Sequence, residues 1–423
     1  MANATASAAG MSFLVSITFG VLTFTFGIAL FAGRRKTSVK KSIRRPVRGA
    51  GVLALVGLLS VGMNTAADSA TATARKSNVQ ASIDSLVKEQ RFPAALISVT
   101  KNGRTANLVA GTSSIDRQIP VPRDGYVRAA SSTKPFVSVV VLQLVAEGRV
   151  DLDTSIERYL PGVVRGKGID ANAITVRHLL QHTSGIPDYE PHVGLRKFED
   201  IQHKFFQPHD LLAIAFEHPA DFAPGTSWNY SNTNYVIAGL MIERLTGRPV
   251  QEQLKQRVID RIGLQKTYWP PAGDQTIRMP HAQGYVIGDA VTRKVIDATE
   301  MDPSWGWAAG QLNSTPGDLA KFARSLVDGE LLPPAQLAEM RRTVDAPLFP
   351  GSRYGLGLFS IPLSCGGVYW GHGGDIPGYE TRGGATDDGR SVGLAVTALP
   401  GTFGDGETQG KAVLAAVDKA FCA

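Results

Sequence analysis

The sequence predicts an α+β fold: one antiparallel sheet built from segments near both chain ends, flanked by helices, with a mostly helical subdomain inserted between them. Three observations predict it. Strand-like runs gather at the two ends of residues 75–423, helical spacing dominates the middle, and turn dipeptides part the neighbouring runs.

At the front, AALISVTKNGRTANLVAG sets two β-like runs around Asn102-Gly103, a dipeptide that accepts the positive φ of a tight hairpin. The segment PFVSVVVLQLVAEG (135–148) is apolar nearly all round, which predicts a helix buried on every side. VRHLLQHT (176–183), NYVIAGLMIERLTG (234–247) and PGDLAKFARSLVDG (316–329) continue the helical middle. YGLGLFSI (354–361), GGVYWGH (366–372), GYETRGGAT (378–386) and RSVGLAVTAL (390–399) predict antiparallel strands, the last two parted by Asp388-Gly389. Spacing at Ala412, Val413, Ala416, Val417 and Ala420 predicts a closing helix over about Glu407 to Phe421. No period of solenoid length recurs.

A chain of 423 residues, 43% hydrophobic and 19% charged, can bury a large core, which excludes disorder and small disulfide scaffolds. A net charge of +7 invites a nucleic-acid partner, but eight basic residues and no acid lie between Arg34 and Arg48. Through residue 74 the single acid is Asp68, so the rest carries 36 basic and 36 acidic residues, and nucleic acid is not an expected partner.

Residues 1–74 read as a membrane or signal targeting region and linker, and residues 75–423 as one catalytic domain. An uncharged stretch over about 11–33 is long enough to span a bilayer. A second apolar stretch, GAGVLALVGLLSVGM (49–63), follows the basic KKSIRRPVR and precedes small-residue cleavage candidates near Ala67, Ala72 and Ala74, as in an export signal. Two readings of residues 1–38 stand: sequence ahead of a signal peptide that begins at Val39, or part of a two-span anchor with the basic loop inside. Arg44-Arg45 is too weak a pair to choose an export route. The expected location is secreted or extracytoplasmic, with membrane contact only through the N-terminal segments. In an exported protein Cys365 and Cys422 form one disulfide candidate, tying the C-terminal segment to the strand that holds Cys365; two buried thiols are the alternative.

Ser131-Ser132-Thr133-Lys134 has the Ser-x-x-Lys pattern, which Ser38–Lys41 and Ser85–Lys88 also match. Context selects Ser131, because it opens the segment that is apolar all round. Residues i and i+3 share a helix face, so Lys134 can reach the Ser131 hydroxyl. Burial and the positive helix end both favour a neutral amine able to take the serine proton. Tyr230-Ser231-Asn232 lies just before an apolar helical run, where a tyrosine can donate a proton to a leaving amine and Asn232 can bond a substrate amide. Gly371-His372-Gly373-Gly374 ends a strand; its glycines let a substrate backbone approach, and His372 can donate to a carboxylate or hydroxyl.

The three elements in this order resemble those of the penicillin-recognising serine enzymes, with Tyr-Ser-Asn placing the resemblance in the class C β-lactamase branch. His-Gly-Gly, where the family has Lys-Thr-Gly, is most similar to the secreted D-alanyl-D-alanine carboxypeptidases, which carry His-Thr-Gly. Flanking stretches carry it further: ITVRHLLQHTSGIPDY, FAPGTSWNYSNTNY, GQLNSTPGDLAKFARSLVDGELLPPAQLAEM, SCGGVYWGHGGDIPGY and the terminal AFCA.

The resemblance implies a β-lactamase/transpeptidase-like fold, with Ser131 as the acylated nucleophile, Lys134 as its activating partner and Tyr230 as a proton shuttle. It places Asn232 on the substrate amide, His372 near the substrate carboxylate, and an oxyanion hole between the backbone N–H groups of Ser131 and Asp375. Two departures stand out: Gly373 lacks the family's threonine hydroxyl, and Asp375 puts a carboxylate where small residues are usual. His178 and His182 have zinc-like i, i+4 spacing without the zincin glutamate, so neither a metal nor a cofactor is expected.

The expected activity is therefore an exported serine D-alanyl-D-alanine carboxypeptidase acting on cell-wall peptides or another small acyl substrate, with β-lactams as covalent ligands. A class C-type β-lactamase, a serine esterase and a non-hydrolytic penicillin-binding sensor are the alternatives.

Overall fold

In a computed structural model, residues 78–423 are described. The membrane and signal segments expected within residues 1–74 lie outside them. Among the described residues no helix is long and apolar enough to cross a membrane.

The strands are β1 (Ala94–Lys101), β2 (Arg104–Gly111), β3 (Val127–Arg128), β4 (Tyr285–Ile287), β5 (Val295–Asp297), β6 (Asn313–Ser314) and β7 (Val344–Asp345). There follow β8 (Arg353–Tyr354), β9 (Phe359–Pro362), β10 (Val368–Gly371), β11 (Gly374–Ile376), β12 (Tyr379–Ala385) and β13 (Ser391–Val396). The helices are α1 (78–88), α2 (Lys134–Ala146), α3 (Ile156–Tyr159), α4 (Val176–Gln181), α5 (Phe198–Ile201) and α6 (Pro208–Phe216). Beyond them lie α7 (Thr233–Thr246), α8 (Val250–Leu254), α9 (Trp307–Gly310), α10 (Pro316–Val327), α11 (Pro334–Met340) and α12 (Gly406–Cys422).

A nine-stranded sheet runs β2-β1-β13-β12-β10-β9-β8-β7, with β11 paired to β12. The first strand therefore lies beside the last, Ala95 opposite Val396, as expected of a sheet drawn from both chain ends. Asn102 (φ 51°) and Gly103 (φ 70°) make the two-residue turn of the β1–β2 hairpin. β13 is buried on both faces. Val392, Leu394 and Val396 pack with Val413, Val417 and Phe421 of α12 and with Ile83 of α1. On the other face Gly393 admits α10, since a Cβ there would stand 2.1 Å from the Pro316 carbonyl oxygen. The helical insertion packs around α2, whose residues from Lys134 to Leu144 are all buried.

Two sequence expectations change. YGLGLFSI is not one strand, because Gly355 and Gly357 carry the chain from β8 onto the helices before β9 begins. A Cβ on Gly355 would meet the Met340 carbonyl oxygen at 2.0 Å, and one on Gly357 (φ 81°) would meet Ser138 Oγ at 2.2 Å. The Cys365–Cys422 disulfide is present, but Cys365 sits in the β9–β10 turn, not in a strand.

Candidate active site

Ser131 lies in a short 3-10 turn, Ala130–Thr133, that feeds directly into α2. Three residues per turn keep positions i and i+3 eclipsed, so Lys134 Nζ comes 2.9 Å from Ser131 Oγ. Ala130 is held at φ 48°, a conformation uncommon for a residue with a Cβ. Pairing of β3 with β6 and the 2.8 Å bond from Ala129 N–H to the Leu312 carbonyl hold the strained turn in place.

Lys134 is wholly buried and has an acceptor for each ammonium proton: Ser131 Oγ, Asn232 Oδ1 at 2.6 Å and the Ala309 carbonyl at 2.9 Å. The last comes from α9, which lies close to α7 because Gly239 leaves room for Trp307 and Ala308. Burial lowers the lysine to about 7, against the opposing charges of Glu190, Asp188 and Asp375.

Asn232 precedes α7, and its side chain is committed within the protein. Its Nδ2 donates to Asp188 Oδ2 at 3.1 Å and to Glu190 Oε2, and its N–H donates to Asp188 Oδ1 at 3.1 Å. The residue expected to bind a substrate amide is thus a hub between Lys134 and two half-buried acids. Desolvation raises both carboxyls, Glu190 to about 7.

Tyr230 hydrogen-bonds the Ser131 side chain, and burial pushes its hydroxyl well above the ordinary tyrosine value. Its ring lies 4.9 Å from Lys134 Nζ on one side and 4.3 Å from the His182 ring centroid on another. His182 Nδ1 accepts from Ser231 N–H and Asn234 Nδ2, each at 3.2 Å, which fixes the proton on Nε2 and pins the Tyr230 loop. His178 instead completes the capping box of α4 with Thr175. The i, i+4 histidines therefore serve separate structural tasks.

The opposite wall is β10 to β12. His372 donates from Nδ1 to the Gly373 carbonyl at 2.5 Å and accepts from the Tyr354 hydroxyl at 3.1 Å, so neither ring nitrogen is left for a substrate carboxylate. Burial and the nearby Lys134 lower it to about 3, so it is neutral. Gly373 makes room for Arg382: a Cβ there would stand 2.6 Å from Arg382 Nη1. Asp375 faces that guanidinium, whose Nη2 donates to both carboxylate oxygens at 2.9 and 3.0 Å.

Ser131, Tyr230, His372, Gly373 and Asp375 line one cavity of about 420 Å³ together with Asp188, Glu190 and Arg382. Leu195, Leu348, Phe349 and Phe359 form its apolar side. Sequence reasoning missed Asp188, Glu190 and Arg382. A signal existed for the last, since Glu380 and Arg382 put two charges at i, i+2 on an otherwise apolar strand.

A serine and a low-pKa lysine on a buried helix start, a tyrosine over both and a glycine-rich strand opposite define a serine hydrolase of the β-lactamase and penicillin-binding-protein fold. The chain belongs to the Beta-lactamase family, whose sequence profile matches residues 79–418. It is similar to penicillin-binding protein 4 of Amycolatopsis lactamdurans, 27% identical over 322 residues, 74% of this chain and 79% of that protein. Esterase EstB of Burkholderia gladioli is 30% identical over 226 residues, 51% of this chain and 56% of the esterase. Among solved structures, a D-stereospecific amidohydrolase from a Streptomyces species is 37% identical with TM-score 0.73, covering 79% of this chain and 97% of its own. The D-amino acid amidase of Ochrobactrum anthropi SV3, with bound L-phenylalanine, is 29% identical with TM-score 0.71, over 82% and 97%.

Proposed function

We propose that this protein is an amide hydrolase whose substrates carry a free ammonium group beside the scissile carbonyl, as D-amino acid amides and peptides with an N-terminal D-residue do. One observation carries the reading: the half-buried carboxyls of Asp188 and Glu190 line the Ser131 cavity, where Arg382 is already bonded to Asp375 and the other lining cation is the exposed Arg196. A substrate ammonium would lower both carboxyl pKa values and hold the pair ionised. The apolar side formed by Leu348, Phe349 and Phe359 suits a large apolar side chain. The similarity to a D-stereospecific amidohydrolase and a D-amino acid amidase supports the D configuration.

In this assignment neutral Lys134 takes the Ser131 proton as Oγ attacks the carbonyl, and the backbone N–H groups of Ser131 and Asp375 receive the oxyanion. Tyr230, kept protonated by burial, gives its proton to the departing nitrogen as the C–N bond breaks, and the Lys134 proton replaces it. Water then attacks the acyl ester, its proton passing to the same relay and Ser131 regaining its own. Residues 1–74 would export the domain, and the Cys365–Cys422 bridge supports an oxidising destination.

The D-alanyl-D-alanine carboxypeptidase expected from the motifs is the second reading, favoured by Arg382 in the cavity wall and by the penicillin-binding relatives. Ammonia release from D-phenylalanine amide and D-alanine release from an N-acylated D-Ala-D-Ala peptide separate the two, with Ser131→Ala as the control. Amide hydrolysis by the wild type alone is expected. D-alanine release without any amide hydrolysis would replace the first reading with the second.

A further inference from the structure

We propose that Asp375 is a specificity-determining residue that occupies, from within the chain, the Arg382 Nη2 that would otherwise bind the carboxylate of a leaving group. The inference deepens the amide-hydrolase reading and rests on it. Its basis is the geometry of the two departures from the family pattern, Gly373 and Asp375, which form one unit with Arg382.

Arg382 projects from β12 under the glycine-rich strand. Its Nη1 donates to the Thr381 carbonyl at 2.8 Å, and its Nη2 spans both oxygens of Asp375 and lies 2.8 Å from Glu380 Oε1. The guanidinium can lie there only because position 373 has no Cβ: one would stand 2.6 Å from Nη1 and 2.8 Å from Cδ. Asp375 sits opposite Glu380 in the β11–β12 register, so its side chain reaches Arg382 without any rearrangement of backbone.

The pair is asymmetric. The Arg382 side chain is 11% exposed and that of Asp375 is 53% exposed, yet both line the cavity that holds Ser131. A carboxylate held through both oxygens on Arg382 Nη2 and open to the cavity stands where a substrate carboxylate would bind the same guanidinium. With Asp375 in place, an incoming carboxylate meets a negative charge and an Nη2 already occupied. A neutral amide or ester leaving group meets no such penalty. Glu380 is 1% exposed and lies behind the pair, holding the guanidinium whether or not Asp375 is bound.

The test reads kcat/KM for D-phenylalanine amide and for the dipeptide D-Phe-D-Ala, which has the same ammonium group but a free carboxylate on the leaving residue. These are measured on the wild type, Asp375→Asn, Asp375→Ser and Asp375→Asn/Arg382→Met. The wild type should favour the amide. Either single variant should raise the dipeptide-to-amide ratio at least tenfold, whatever its absolute activity, and loss of Arg382 should abolish the gain. Amide hydrolysis with no change of ratio in either folded variant would overturn this proposal and leave the amide reading intact. A wild type that prefers the dipeptide would also overturn it. A wild type that hydrolyses neither compound removes the amide reading itself, and the proposal with it.

Discussion

The imidazole of His182 lies against the ring of Tyr230, their centroids 4.3 Å apart and their planes tilted by 36°. His182 is fully buried, neutral through burial and the nearby Lys134 charge, and accepts from Ser231 N–H and the Asn234 amide. It does not itself line the Ser131 cavity, so it acts by holding Tyr230 and its loop. His182→Leu keeps the bulk but leaves two buried donors without an acceptor, a cost of about 2–4 kcal/mol. We expect a lower thermal midpoint and a kcat at least tenfold lower with a smaller change in KM. Equal kcat in a folded variant would remove the positioning role.

Acylation needs neutral Lys134, so kcat/KM should rise with pH along a limb near 7, the value to which burial lowers this amine. Neither neighbouring histidine accounts for such a limb, since His372 is held at about 3 and His182 lies well below its ordinary value. The Glu190 charge raises Lys134, so Glu190→Gln should move the limb to lower pH, by about one unit for a charge lost at this range. Hydrolysis of a neutral p-nitrophenyl ester is the suitable readout, because it does not use the substrate ammonium. A limb that stays in place, or moves upward, would contradict the assignment of Lys134 as the base.

The glycine-rich strand is set by packing as well as by chemistry. A Cβ on Gly374 would stand 2.1 Å from the Ala129 carbonyl oxygen and 3.0 Å from Ala130 Cβ, the residue that holds the strained turn before Ser131. Gly374→Ala must therefore push β11, with the Asp375 N–H, away from the nucleophile. Overpacking of this kind costs about 1–3 kcal/mol, which a large domain tolerates. The expected result is a folded variant by circular dichroism whose acylation by a β-lactam is at least a hundredfold slower. Acylation at the wild-type rate would mean that β11 does not supply the oxyanion donor.

What the sequence reveals follows from how local its cause is. The β1–β2 hairpin needs only Asn102-Gly103, and α2 needs only an uninterrupted apolar run, so both are legible. Ser131 and Lys134 are three residues apart, and that spacing brings them together in the 3-10 turn as it would in an α-helix. Asp188 and Glu190 look like ordinary loop acids. They are drawn into the site because Asn232, 42 residues from Glu190, donates to both. Gly355 and Gly357 read as strand residues until Met340 and Ser138 are seen to lie against them. Asp375 stands out in the sequence and Arg382 does not, because their pairing depends on the register that sets Asp375 opposite Glu380.

The Cys365–Cys422 bridge offers a test that separates stability from catalysis. It joins residues 57 apart in sequence, a closure worth about 4 kcal/mol in the chain-entropy account. That corner is also held by other contacts. Arg390 donates to the Phe421 carbonyl at 2.6 Å, Ser364 N–H donates to Asp418 at 2.8 Å, and the Tyr369 and Phe421 rings stack at 4.8 Å. The folded state should therefore persist without the bridge, while the unfolded chain gains freedom. Neither cysteine lines the Ser131 cavity, so the chemistry has no direct dependence on the bond. Cys365→Ser/Cys422→Ser should lower the thermal midpoint by several degrees and leave kcat/KM at 25 °C within about twofold. A matched loss of activity at temperatures where the variant is fully folded would show that α12 and the β9–β10 turn transmit order to the site, and that the bridge is more than a staple.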